Sequence, residues 1–197
     1  MKTLVITGGI GSGKSEVCRI LDRNGMTSQY NADERVKALY DVHPTLLGDI
    51  EDALDCNLRN EEGKFLPYLL SSRIFSDREA LELVENLVFP ALLEDFDVFS
   101  AGLSNEDIAV FESATILGKP WFDGFGDYIV LVDAPFEVRL DRACRRDGAE
   151  RDAVLARMSN QKLMNYLSDG GKDPRIAAVI VNDCDLATLE KRTIETM

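Results

Sequence analysis

One nine-residue stretch narrows the folds open to this chain more than the rest of the sequence together. Thr7-Gly8-Gly9-Ile10-Gly11-Ser12-Gly13-Lys14-Ser15 follows a short apolar run over residues 3–7. It contains G-x-x-x-x-G-K-[ST], a phosphate-cradling loop pattern. With glycine at its ordinary frequency of about 7%, the pattern arises by accident in roughly one chain in a hundred of this length. The flanks strengthen the case. Leu4-Val5-Ile6 is β-prone and runs into glycines, which predicts a buried strand. Beyond the loop, Val17, Ile20 and Leu21 recur at helical spacing, and Asn24-Gly25 offers a stop. Strand, glycine-rich loop and helix is the order the motif requires.

The residue types explain the chemistry. Glycines let backbone N–H groups converge on oxygen atoms without side-chain clash, and a helix start adds partial positive charge. Lys14 is placed to bridge the β- and γ-phosphates of a nucleoside triphosphate, and the Ser15 hydroxyl to ligate Mg²⁺. Gly8, Gly9, Gly11, Ser12, Gly13, Lys14, Ser15 and Glu16 form the candidate nucleotide-binding set.

A chain of 197 residues is long enough for one sizeable core with insertions. No apolar run approaches the roughly 20 residues of a membrane span, and no signal-peptide pattern opens the sequence, so no membrane partner and a cytoplasmic location are expected. Cys18, Cys56, Cys144 and Cys184 lie far apart without a C-x-x-C pair, which suits reduced thiols. His43 is the only histidine, and its place before Pro44 suggests a surface or capping role. The net charge of −13 disfavours a nucleic-acid surface. A small phosphorylated substrate is compatible, because Arg139, Arg142, Arg145, Arg146, Arg151, Arg157 and Lys162 concentrate in one segment. The plainer alternative for that cluster is a solvated helix face paired with Asp141, Asp147, Glu150 and Asp152.

Strand-like runs at 3–7, 26–30, 107–114, 128–135 and 177–183 alternate with helical patterns, which predicts an α/β fold with a parallel sheet and crossover helices. Residues 34–104 break the rhythm with a long helical stretch that reads as an inserted subdomain, and 139–170 form a second insertion carrying the arginines. Residues 117–127, rich in glycine and aromatics, read equally as a binding loop or a capped edge. Open α/β sheets place their sites at the carboxyl ends of strands, where Asp33, Glu112 and Asp133 fall. Asp133, before Ala-Pro, is expected to cap a helix. Asp33 has the same alternative. Glu112, ending a hydrophobic run, is expected to hold Mg²⁺ through water.

In series, the loop 7–15, Asn31-Ala32-Asp33, Arg73-Ile74-Phe75, residues 132–147 with Arg157 and Gln161, and residues 179–183 resemble dephospho-CoA kinases over nearly the whole chain. The resemblance implies a P-loop kinase core with a parallel five-stranded sheet flanked by helices. That core would comprise 1–33, 105–138 and 171–197, with a helical CoA-binding insertion at 34–104 and a lid at 139–170. It implies Mg²⁺-supported transfer of the γ-phosphate of ATP to the ribose 3′-hydroxyl of dephospho-CoA, with ATP and dephospho-CoA as partners. Asp33 would be the catalytic aspartate facing the acceptor hydroxyl, Lys14, Arg142 and Arg146 would act on the triphosphate, and Asn182 would lie near the adenine. The sequence departs from the family pattern at Asn31, where an aspartate is usual, and at Phe89-Pro90, where His-Pro is usual. The family's P-L-L-F-E stretch is blurred in residues 110–118, so its glutamate falls on Glu112 in one register and on Gly118 in another. Two further readings share the loop: a kinase for shikimate or a nucleoside monophosphate, and a nucleotide-binding regulatory protein.

Overall fold

The computed structural model describes residues 1–104 and 107–197. The expected restart of the core at 105 falls on two residues outside those described. In chain order the elements are β1 (Lys2–Thr7), α1 (Lys14–Arg23), β2 (Ser28–Asn31), α2 (Ala32–Val42), α3 (Leu46–Leu54), α4 (Pro67–Ser76) and α5 (Arg78–Ala101). Then come β3 (Ile108–Glu112), β4 (Tyr128–Asp133), α6 (Phe136–Asp147), α7 (Arg151–Ser159), α8 (Lys162–Ser168), β5 (Ile176–Val181) and α9 (Leu186–Thr196). The chain divides into two compact units, Met1–Asn31 with Leu103–Met197, and Ala32–Gly102.

In the first unit the five strands form one parallel sheet in the order β2-β3-β1-β4-β5. A parallel sheet covered on both faces needs strands that are apolar throughout rather than alternating, and β1, β3 and β4 meet that need. On one face Leu4, Ile6, Val110, Val130, Val132 and Ile180 pack with Val17, Ile20 and Leu21 of α1 and Leu189 of α9. The opposite face is organised by Phe111, which is fully buried. Its ring stacks on Tyr30 at 5.3 Å and meets Phe125 edge-on at 4.8 Å, with Phe122 at 6.0 Å. Two of the three aromatics of the 117–127 segment, Phe122 and Phe125, thus pack on Phe111 while Trp121 is exposed, which favours the capped-edge reading of that segment. A smaller core joins Leu140 and Ala143 of α6 to Val154 and Met158 of α7, and Ile10 from the loop after β1 packs on it.

The second unit is built from α2 to α5 around Leu47, Ile50, Leu54, Val84, Val88, Leu92 and Phe96. Asp77 starts α5 by accepting a hydrogen bond from the Ala80 N–H at 3.0 Å. Pro90 lies within that 24-residue helix, and Phe89 before it is buried. Arg35 of α2 forms a two-pronged ion pair with Asp95 of α5 (Nε–Oδ2 2.8 Å). His43 Nδ1 accepts from the Leu46 N–H at 3.0 Å, a capping role at the start of α3. No helix among the described residues is long and apolar enough to cross a membrane.

One expectation needs correction. Asp133 does not cap α6, which begins after Pro135 without a side-chain cap. Its carboxylate instead accepts from the Ser168 hydroxyl of α8 at 2.7 Å. The partner lies 35 residues away in sequence, so no local pattern announces it.

Because four aromatic rings meet at Phe111, Phe111→Ala should destabilise the protein by about 3–5 kcal/mol. Urea denaturation checks this. A loss below about 1 kcal/mol would mean that the cluster does not carry the packing of that face.

Candidate active site

The loop between β1 and α1 lies at the carboxyl end of the sheet's central strand, where β1 has β3 on one side and β4 on the other. Such a switch point leaves a crevice for ligands. Gly11 and Gly13 have φ of +75° and +98°, a conformation in which other L-residues are strained. Neighbours press on the same two positions. A Cβ on Gly11 would collide with the Arg139 carbonyl, and one on Gly13 with the Asn182 amide. Gly13 caps α1 without any side-chain hydrogen bond, so no side chain competes for the first-turn N–H groups. Lys14 folds back so that its ammonium donates to the Gly8 and Gly9 carbonyls at 3.0 and 3.4 Å. The ammonium is therefore held at the mouth of the loop.

Glu112, at the end of β3, is the polar centre beneath it. Ser15 donates from Oγ to Glu112 Oε1 at 2.6 Å, and Asn31 Nδ2 donates to Oε2 at 3.0 Å. Near this carboxylate the Cys18 thiol is buried, and burial, reinforced by the carboxylate's charge, pushes its pKa up. No group of three or more His, Cys, Asp or Glu side chains suited to a metal occurs among the described residues. Ser15 and Glu112 offer two hard oxygen donors, the partial set that Mg²⁺ takes when phosphates and water supply the rest. Of the two registers open for the family glutamate, Glu112 is the one at the loop. Gly118 lies in a separate 3₁₀ turn.

A cavity of about 460 Å³ is lined by Gly11, Gly13, Lys14, Ser15, Arg142 and Asn182, among others. Asn182 is buried, and its Nδ2 donates to the Ser12 carbonyl at 2.9 Å. Arg142 donates to the Asn182 carbonyl and Oδ1 at 3.1 and 3.3 Å. Arg146, also on the cavity wall, pairs with Asp147 at 2.7 Å, and Arg157 reaches the same carboxylate at 2.6 Å. Hydrogen bonds from Arg146, and then from Arg157, hold the Asp147 pKa down to about 2. What this pairing contributes is complete above the ordinary value of 3.8 and is lost only as pH falls toward 2. The clasp is therefore insensitive to pH near neutrality. Arg151 is exposed and bonds only Glu137 and Asp141 among the described residues.

Most of the expected site residues thus share one cavity or its immediate wall. Asp33 is exposed in the first turn of α2, inside the helix rather than at its cap, and belongs to the second unit. Two residues at the loop were not assigned from sequence. Gln161 Oε1 accepts from the Ile10 N–H at 2.8 Å, and Arg139 is buried against Gly9 and Gly11. The signal for Arg139 was available, since it shares a helix face with Ala143 four residues on.

The geometry can be set beside known proteins. A family model described as dephospho-CoA kinase matches residues 3–188. A dephospho-CoA kinase from Porphyromonas gingivalis is 35% identical over 173 residues, covering 88% of this chain and 84% of that protein. One from Bacteroides fragilis is 34% identical over 182 residues, covering 90% and 83%. A crystal structure of a Thermus thermophilus protein superposes with a TM-score of 0.81 at 26% identity, covering 98% and 94%. Shikimate kinase from Acinetobacter baumannii, at 14% identity and a TM-score of 0.54 over 99% and 92% of the two chains, shares the fold.

The arginines should separate by position. Alanine at Arg142 or Arg146 should lower turnover of ATP on the order of 10³-fold, the scale of a lost arginine on a transferring phosphoryl group. Arg151→Ala should leave turnover within about twofold, because exposed pairs contribute little. Steady-state kinetics on the three variants checks this, and equal small effects would reduce the cluster to a solvated face.

Proposed function

The chain belongs to the dephospho-CoA kinase family, and from that premise we propose how its own residues move the γ-phosphoryl group of ATP to the ribose 3′-hydroxyl of dephospho-CoA, giving coenzyme A. The observation that carries the reading is the loop at the end of β1, with Lys14 on the Gly8 and Gly9 carbonyls and Ser15 on Glu112. Phosphoryl transfer asks a protein for positioning and charge neutralisation more than for covalent chemistry. The loop N–H groups and Lys14 hold the triphosphate. Ser15, with Glu112 acting through water, would hold Mg²⁺, which when bound would offset charge on the phosphate oxygens. Arg142 and Arg146 add positive charge from the 139–170 segment, which acts as a lid. Asn182 holds the loop at Ser12 and contributes to the nucleotide site.

Asp33 follows the last residue of β2 by two positions. Its role is to align the acceptor hydroxyl for in-line attack and to take its proton. The helical unit 32–102 supplies the acceptor site, in which Phe89 replaces the family's usual histidine. Asn31, in place of the usual aspartate, donates to Glu112 where an ionised carboxylate would repel it. The spaced cysteines and the absence of any membrane-crossing helix among the described residues suit a cytoplasmic enzyme.

ADP release should rise sharply when dephospho-CoA is added to enzyme and Mg·ATP, and should not rise with shikimate or AMP. A response to either of those acceptors instead would sink the proposed substrate. Asp33→Asn should lower kcat by about 10²–10⁴-fold, the usual weight of a general base. ATP affinity and melting temperature should stay unchanged, because the loop holds the nucleotide and Asp33 lies inside α2 rather than at its cap. Full activity in this variant would remove Asp33 from the mechanism.

A further inference from the structure

Six buried side-chain nitrogen or oxygen atoms have no hydrogen-bond partner among the described residues, and four gather at the loop. They are Thr7 Oγ1, Ser12 Oγ, and Nε and Nη1 of Arg139. Arg139 is the most costly of these. It is 1% exposed and heads the fully buried side chains by volume. A charged group withdrawn from water with unmatched donors costs more than a neutral orphan. The Phe136 ring, 5.8 Å from Cζ, offsets part of that cost. Arg139 forms no ion pair among the described residues.

Its position identifies the missing partner. A Cβ on Gly9 would collide with Nη1 of Arg139, so the guanidinium lies directly on the loop. The Lys14 ammonium occupies the same end, on the Gly8 and Gly9 carbonyls. Gln161 holds the adjoining Ile10 N–H. Lys14 is the residue that meets the β- and γ-phosphates in such loops, so the Gly8–Gly9 end is where the terminal phosphate belongs. A group with several anionic oxygens, shielded from water, matches a guanidinium with free N–H donors.

We propose that Arg139 binds the terminal phosphoryl group of the nucleotide and neutralises charge on it during transfer. The inference rests on the reading of the loop as an ATP site. In that step the acceptor oxygen bonds to phosphorus and gives its proton to Asp33. The bond from phosphorus to the β-phosphate oxygen breaks, leaving its electron pair on ADP. Arg139 forms no covalent bond and acts on the equatorial oxygens alone.

The test compares Mg·ATP with Mg·ADP by calorimetry in wild type, Arg139→Met and Arg139→Lys, alongside kcat and the melting temperature. Arg139→Met should melt no lower than wild type, because it removes a buried unmatched charge. Its ATP affinity should fall about tenfold or more, the weight of a charge-assisted hydrogen bond, while ADP affinity stays within about twofold. Its kcat should fall on the order of 10³-fold, and Arg139→Lys should recover part of the preference for ATP. Equal losses for ATP and ADP, or no loss, would overturn the proposal. Should Arg139→Met fail to fold, Arg139→Gln takes its place: a selective loss of ATP affinity supports the proposal, and an equal loss or none overturns it. The readout needs no acceptor. A wild type that ignores dephospho-CoA would therefore strike the proposed function, while a preference for ATP lost with Arg139 would still support this inference.

Discussion

The turn between β1 and α1 has to stay bare backbone, and the rest of the site is arranged around that requirement. Gly11 and Gly13 take conformations that disfavour side chains, and Arg139 and Asn182 press on them from outside. Asn182 holds the Ser12 carbonyl, Arg142 holds Asn182, and Ile10 anchors the turn to the core of α6 and α7. A methyl group at either glycine would break a set of contacts that runs from β5 to α6. The same absence of side chains leaves the N–H groups available to an anion.

Charge is arranged with equal economy. The chain carries a net charge of −13, yet its loop gathers Lys14, Arg139 and Arg142 in one place. The carboxylate at the base, Glu112, accepts from Ser15 and Asn31. Such a carboxylate is oriented before any ligand arrives. Arg146 and Arg157 share Asp147 at the cavity rim, a pairing that a phosphate could replace with one of the same sign.

The sequence made the loop and the strands legible because each is a local pattern. Apolar runs of β-branched residues become strands wherever helices cover both faces, and β1, β3 and β4 did so. What escaped local reading depended on distant partners. Asp133 looked like a cap until Ser168, from α8, proved to be its donor. Arg139 resembled its neighbours Arg142 and Arg146, and only the facing of α6 toward Leu140 and Ala143 separates a buried arginine from those on the cavity wall. The place of Glu112 likewise depends on a distant strand, since the pairing of β3 with β1 puts it opposite Ile6, beside the loop.

The central claim is that the loop holds a metal-bound polyphosphate, with Ser15 and Glu112 on the metal side. Calorimetric titration of ATP into wild type and Glu112→Gln, each with Mg²⁺ and with EDTA, addresses it most directly. The account predicts equal binding of metal-free ATP by both proteins, and a strengthening by Mg²⁺ that wild type shows and Glu112→Gln loses. A wild type that binds no ATP, or a Glu112→Gln protein that keeps the full Mg²⁺ effect, would contradict it.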